Sequence, residues 1–290
     1  MQKWIDSLIQ SKKIGFLGTG NLSKSIVQAF VKSSVVNPKN IFLSNHNKET
    51  CEILRKEFSG VQVLSSNEDL LEQAGIIVLG VKPQNLIAAI EPLRHLITED
   101  HIIISLAAGV NLTALKKLIP TTKRIVRWMP SIAMKVQESV TAYVAVDDDE
   151  TLLQLSDSLL SPLGIAVQVE EGEEFNALMV ACSSGPAFIF EFMQIWASWL
   201  ESYDIPETMA KKLTLQTFAG ASLLAKNNSS LSVTDLQNQV MSKKGVTFDG
   251  IKHFRSLEFE DLLAASFEKA MQRAKDMEDD FSKHLANDNL

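Results

Sequence analysis

Two cysteines, Cys51 and Cys182, are too few and too widely spaced to build a disulfide framework, and no Cys-x-x-Cys or Cys/His spacing accompanies them to hold zinc. They read as reduced, small apolar residues of a cytoplasmic protein, with no metal site. Basic residues are in the minority, 28 against 35 acidic, and a net charge of −7 gives nucleic acid no broad electrostatic footprint. No stretch approaches the ~20 uninterrupted apolar residues of a membrane span. Residues Met1–Lys12 carry no apolar core of a signal peptide. The five histidines (His46, His95, His101, His253, His284) each sit in a polar context that reads as surface. No Ser/His/Asp set and no cluster of catalytic acids is visible, so hydrolytic chemistry has no candidate machinery. What is present is a globular balance, 46% apolar and 22% charged, in 290 residues, enough for two domains.

The strongest motif is Ile14-Gly15-Phe16-Leu17-Gly18-Thr19-Gly20-Asn21-Leu22-Ser23. A short apolar run ends in Gly-x-Gly and passes into Leu22, Ile26, Val27 and Phe30 at helical spacing. Strand, tight turn and helix in that order open a dinucleotide-binding unit. Gly18 permits the turn, and Gly20 lets backbone approach a pyrophosphate. The N–H groups of the helix start then face the phosphates. Ser23 stands at the third position, small enough for close helix–strand packing.

Five further runs read as strands: 41–43, 61–64, 76–81, 102–106 and 124–128. Helical patterns lie between them at 23–33, 48–58, 68–73, 84–93 and 112–118. The runs 76–81 and 102–104 show no polar alternation, as central parallel strands buried on both faces should. Candidates at 142–146 and 166–170 flank a helix at 150–160 and would extend the same sheet. After about Glu173 the strands stop and helices are expected at 174–182, 186–202, 206–226, 233–240 and 257–281, with a polar tail over 276–290. The expected fold is therefore α/β, a Rossmann-type doubly wound sheet over residues 1–172 followed by an all-helical domain over 173–290. Phe188, Phe192, Ile195, Trp196 and Trp199 form an apolar face too wide for a small helical domain to cover, which predicts an intertwined dimer.

Taken in order, Phe16–Leu22, Val81-Lys82-Pro83-Gln84, Ser105-Leu106-Ala107-Ala108-Gly109-Val110, Arg127-Trp128-Met129-Pro130 and Ser184-Gly185-Pro186-Ala187-Phe188 resemble pyrroline-5-carboxylate reductases over nearly the whole chain. The resemblance implies reduction of a cyclic imine, 1-pyrroline-5-carboxylate, to L-proline (proline biosynthesis) with NADPH or NADH, by a homodimer or larger homo-oligomer. It implies cofactor contacts from Leu17, Gly18, Thr19, Gly20, Asn21 and Leu22, and from Val81, Lys82, Pro83, Leu106, Ala107 and Ala108. Arg127, Met129 and Pro130 read equally well as a strand end with a turn. Ser44, Asn45 and His46 fall at the end of the second strand, where NAD-preferring enzymes place a carboxylate; none appears before Glu49, which favours NADP over NAD.

The substrate end departs from the family. Its Ser-Pro-Gly-Gly-Thr-Thr-like loop, which cradles the substrate carboxylate, is matched here by Ser242-Lys243-Lys244-Gly245-Val246-Thr247. Gly245, Val246 and Thr247 are the expected substrate contacts, from the partner chain, and Thr247 keeps the hydroxyl nearest the imine nitrogen. Losing the first glycine removes easy access to positive φ, and the two lysines read either as solvated charges or as direct partners of a carboxylate. Likewise, Gln137-Glu138-Ser139 stands where relatives have Gly-x-Gly. Two alternatives remain open: a nucleotide-binding protein derived from a reductase, without imine reduction, or a reductase for another imine.

Overall fold

The computed structural model describes residues 12–45 and 47–287. Its strands are β1 (Ile14–Leu17), β2 (Ile41–Ser44), β3 (Gln62–Leu64), β4 (Ile76–Leu79), β5 (Ile102–Ser105), β6 (Ile125–Met129), β7 (Ser139–Ala145) and β8 (Gly164–Gln168). They form one sheet in the order β3-β2-β1-β4-β5-β6-β7-β8. The pairs from β3 through β6 are parallel, β7 runs antiparallel to β6, and β8 is parallel to β7. The two added strands thus extend the sheet as the sequence predicts. The leading order 3-2-1-4-5-6 is that of doubly wound dinucleotide-binding sheets.

Helices α1 (Asn21–Ser33), α2 (Lys48–Glu57) and α6 (Glu150–Leu160) cover one face, over Phe16, Val78, Ile104 and Trp128. Helices α3 (Asn67–Gln73), α4 (Pro83–Ile90), α5 (Leu112–Leu118) and α7 (Glu173–Leu178) cover the other, over Leu17, Ile77, Leu79 and Ile103. Local chemistry fixes where several start. Asn47, Ser66, Asn111 and Asp149 accept hydrogen bonds from the first-turn N–H groups of α2, α3, α5 and α6. After α7 a π-helical turn, Met179–Ser183, ends the first unit, and Ser183 Oγ donates to Met129 O at 2.6 Å.

The chain divides into two compact units, residues up to Ser184 together with those from Ala270 onward, and residues Gly185–Lys269. The second unit holds α8 (Gly185–Glu201), α9 (Glu207–Asn227), α10 (Val233–Val240), α11 (Val246–Ser256) and the first turns of α12 (Phe259–Asn287). Ser232 and Asp235 form the capping box of α10. Within this unit Phe188 packs edge-on against Phe267, ring centroids 5.0 Å apart, and Trp196 against Phe218 at 5.6 Å.

Three expectations need correction. The stretch 276–287 of the expected polar tail is helical: α12 runs to Asn287, and Ala274, Phe281 and Leu285, spaced 7 and 4 apart, bury against the sheet unit, while 288–290 lie outside the described residues. Helix α11 was not expected, because Gly250 interrupts it and its apolar residues are few. His101 is not a surface residue: its ring is buried, bonded to Thr98 and to Leu71 O. Glu173–Glu201 is moreover one 29-residue helical run that holds an 18-residue window of mean hydropathy 1.4, long and apolar enough by those measures to cross a membrane, which a count of uninterrupted apolar residues misses.

Candidate functional site

The topological switch point lies between β1 and β4, where ligands of such sheets bind beyond the carboxyl ends of the strands. The backbone there is laced together. Gly80 N donates to Leu17 O at 2.9 Å, and Leu106 N donates to Leu79 O at 3.1 Å. Leu17–Leu22, Val81–Pro83 and Leu106–Ala108 therefore emerge side by side. Gly18 has φ +101°, and a Cβ on it would lie 2.8 Å from the backbone of Gly80 and Val81, so the turn admits only glycine. The Ser23 hydroxyl, buried without a partner, fills the space that a side chain on Gly80 would need.

Gly20 is a glycine for another reason. A Cβ there would touch no protein atom, so the space it leaves open faces outward, where a ligand would approach. Gly20 caps α1 without a side-chain hydrogen bond, and the first turn of α1 holds no acid. Its leading N–H groups are thus left to an anion. Helix α4 also starts uncapped, with Lys82 at the cap and Pro83 at the first helical position. This uncapped, glycine-lined cradle suits a dinucleotide pyrophosphate.

At the end of β2, Ser44 turns inward: it is buried, and its hydroxyl donates to Asn67 Oδ1 at 2.6 Å. Asn45 Nδ2 donates to Thr19 Oγ1 at 2.9 Å, which ties this strand end to the Gly-x-Gly turn. Asn45 Oδ1 in turn accepts from Asn47 N at 2.9 Å. His46 lies outside the described residues.

In the helical unit, Ser242–Gly245 is a tight turn closed by Gly245 N donating to Ser242 O at 2.9 Å. Lys244 adopts φ 62°, the left-handed conformation that the lost glycine was expected to forfeit. Gln137, at the other position where relatives have glycine, does the same at φ 61°. Gly245 caps α11 without side-chain help, and Val246 and Thr247 are its first residues. Val246 is 94% exposed, and Lys243, Lys244 and Thr247 are exposed beside it.

Arg127 reads two ways in the sequence, and its partner carries no mark there. Arg127 on β6 is 1% exposed, and its Nη1 donates to Glu171 Oε1 at 2.7 Å. The guanidinium stacks 4.2 Å from the Phe175 ring centroid. Burial lowers its pKa, and the Glu171 carboxylate opposes that shift. The signal was an arginine inside Ile125-Val126-Arg127-Trp128-Met129; nothing local marked Glu171. Cys182 is a free thiol pushed up in pKa by partial burial, an inert setting.

Comparison with known proteins agrees with this architecture. Residues 172–277 match the family model for pyrroline-5-carboxylate reductase dimerisation, and residues 13–109 match that for NADP oxidoreductase, coenzyme F420-dependent. The chain is 31% identical over 277 residues to pyrroline-5-carboxylate reductase of Methanosarcina acetivorans, covering 95% of this chain and 100% of that one. It is similar to the solved pyrroline-5-carboxylate reductase of Coxiella burnetii, with a TM-score of 0.83 at 27% identity over 92% of this chain and 99% of that one. Plasmodium falciparum pyrroline carboxylate reductase, solved with NADP bound, shares the fold with a TM-score of 0.82 at 21% identity, over 93% and 99% of the two chains. A likeness that runs the length of both domains, on a sheet with a dinucleotide cradle at its switch point, makes the chain a member of the pyrroline-5-carboxylate reductase family and an NAD(P)-dependent oxidoreductase.

Proposed function

We propose that the chain reduces 1-pyrroline-5-carboxylate to L-proline, with NADP preferred over NAD, as a homodimer or larger homo-oligomer. The observation that carries this reading is the Ser242–Thr247 turn. Lysines replace its Pro and first Gly, yet Lys244 keeps the left-handed backbone and α11 starts without a cap.

In this reading Leu17–Leu22 hold the pyrophosphate with backbone N–H groups, and Val81–Pro83 and Leu106–Ala108 line the rest of the coenzyme. The bound coenzyme supplies the hydride for the imine carbon. A protonated cyclic imine is already electrophilic, so the protein's work is to position it, bind its carboxylate and exclude water. Val246 and Thr247 offer uncapped N–H groups to that carboxylate beside Gly245, whose own N–H closes the turn, with the ammonium groups of Lys243 and Lys244 nearby. Thr247 hydrogen-bonds the ring nitrogen. NADP preference is supported by the β2 end, where no carboxylate precedes Glu49 to repel a 2′-phosphate and Lys48 adds positive charge. The unburied apolar face of α8 and the matched dimerisation model support self-association rather than a membrane or nucleic-acid partner. Residues 1–172 serve the coenzyme and 173–290 serve assembly and substrate.

The test follows NADPH oxidation with 1-pyrroline-5-carboxylate. Thr247→Ala should lower kcat by about 100-fold while Thr247→Ser restores most of it, the range expected for a group that handles a proton. Turnover indifferent to both substitutions overturns the role of Thr247. Coenzyme binding without turnover over a panel of cyclic imines instead identifies a nucleotide-binding protein, and turnover of a different imine identifies another reductase.

A further inference from the structure

One carboxylate oxygen in the first unit joins three separate parts of the chain. Glu171, between β8 and α7, accepts through Oε1 from Leu112 N at 2.8 Å and from Arg127 Nη1 at 2.7 Å. Leu112 is the first residue of α5, and the Asn111 side chain accepts from Ala114 N at 2.8 Å. The acid and the amide between them thus satisfy two orphan N–H groups of that helix. Arg127 belongs to β6, two strands from the switch point.

The segment that ends at this junction is Leu106–Asn111. Its start is pinned by Leu106 N donating to Leu79 O at 3.1 Å and Ala107 N donating to Ser105 Oγ at 3.3 Å. Its middle is Gly109, at φ +70°, where a Cβ would collide with Met277 of α12. Its far end depends on Glu171. As a stabilising device the pair is poor. Arg127 Nε and Nη2 are buried with no hydrogen-bond partner while the Glu171 side chain is 27% exposed, and an ion pair that desolvates its arginine often does no better than apolar residues of the same volume. What apolar residues would not supply is an acceptor for Leu112 N.

We propose that Glu171 is a positioning residue for the coenzyme. Arg127 holds its carboxylate, and the carboxylate fixes the Leu106–Asn111 segment in the shape that receives the nicotinamide end. This rests on the coenzyme role proposed for Leu106–Ala108, but its structural half stands apart from that role.

Two double variants of the full chain isolate the bond. Arg127→Met with Glu171→Gln and Arg127→Met with Glu171→Leu both lack the charges of the pair, and only the first keeps an acceptor for Leu112 N. Hydrogen exchange is measured without coenzyme, and NADPH affinity by fluorescence titration. The leucine variant should exchange faster than the glutamine variant at 106–112, with 76–79 alike in both. It should also bind NADPH about tenfold more weakly, the scale of one charge-free hydrogen bond to a loop. kcat at saturating NADPH should agree within about twofold, a split that general destabilisation would not produce. Equal exchange at 106–112, or equal NADPH affinity, overturns the positioning role. If the leucine variant fails to fold, Leu112→Pro takes its place: it removes the N–H at a first-turn position that suits proline, and with it the buried Leu112 side chain, so it is judged by the affinity it loses beyond Leu112→Ala, which keeps the N–H. If the unaltered chain binds no NADPH, the coenzyme reading of the loop falls, and the exchange comparison still decides whether Glu171 holds it.

Discussion

Strand β4 and helix α8 are both strongly apolar, but their fates in this chain are opposite. Every residue of β4 is buried under helices that the same chain supplies on both faces. Helix α8 has no buried residue, and Ile195 and Trp199 each remain 60% exposed. Apolarity sets the demand for cover, and the repeat pattern sets whether one chain can meet it. Alternating strands and helices close over themselves. A few helices around Trp196 and Phe218 do not have enough surface to do so, and the proposed second copy supplies the remainder.

The sharpest way to break this contrast is to charge the bare face. Ile195→Glu with Trp199→Glu should abolish self-association in analytical ultracentrifugation and reduce turnover to background, while circular dichroism of the sheet unit persists. Intact dimers in that variant would remove α8 from the interface. A smaller effect is expected in the sheet. Leu79→Ala should cost about 2–5 kcal/mol in denaturant unfolding, the usual range for emptying a filled core site. That loss should not vary with protein concentration, whereas the stability of the helical unit should rise with it.

The smallest effect concerns the surface tie between α12 and α7. Lys275 Nζ donates to Glu173 Oε1 at 2.8 Å, and that hydrogen bond, then the lysine charge, hold the Glu173 carboxyl below the ordinary range. A depressed carboxyl pKa contributes stability above its unfolded value and loses it as pH falls through the folded one. Lys275→Met should therefore lower Tm slightly at neutral pH and not at all in strong acid, with the difference fading in high salt because the pair is exposed. A Tm difference that persists in acid would point to packing rather than charge.

How much of this was legible in the sequence follows the distance between partners. The apolar runs at β1, β4 and β5 declared themselves because their patterns are local, and Gly18 did so because a positive φ leaves a mark on residue choice. The tie of Ser44 to Asn67 leaves no mark in the sequence because the two lie 23 residues apart. Glu171 was overlooked because Arg127 is 44 residues away, and no periodicity links a strand to a distant loop. Helix α11 escaped because Gly250 weakens its propensity, although tertiary context overrides that. Beyond the helix expected over 257–281, Leu285 is concealed by the polar and charged residues around it.

The left-handed backbone of Lys244 has a consequence for the buffer as well as for the turn. An L-residue held at φ 62° sits roughly 1–2 kcal/mol above its preferred basin, a loss that glycine would avoid. Its ammonium group and the open start of α11 offer any passing carboxylate or phosphate a means to offset that loss. Melting curves of the helical unit should accordingly climb with the choice of counter-ion, chloride lowest and polyvalent oxyanions highest, even where no catalysis takes place.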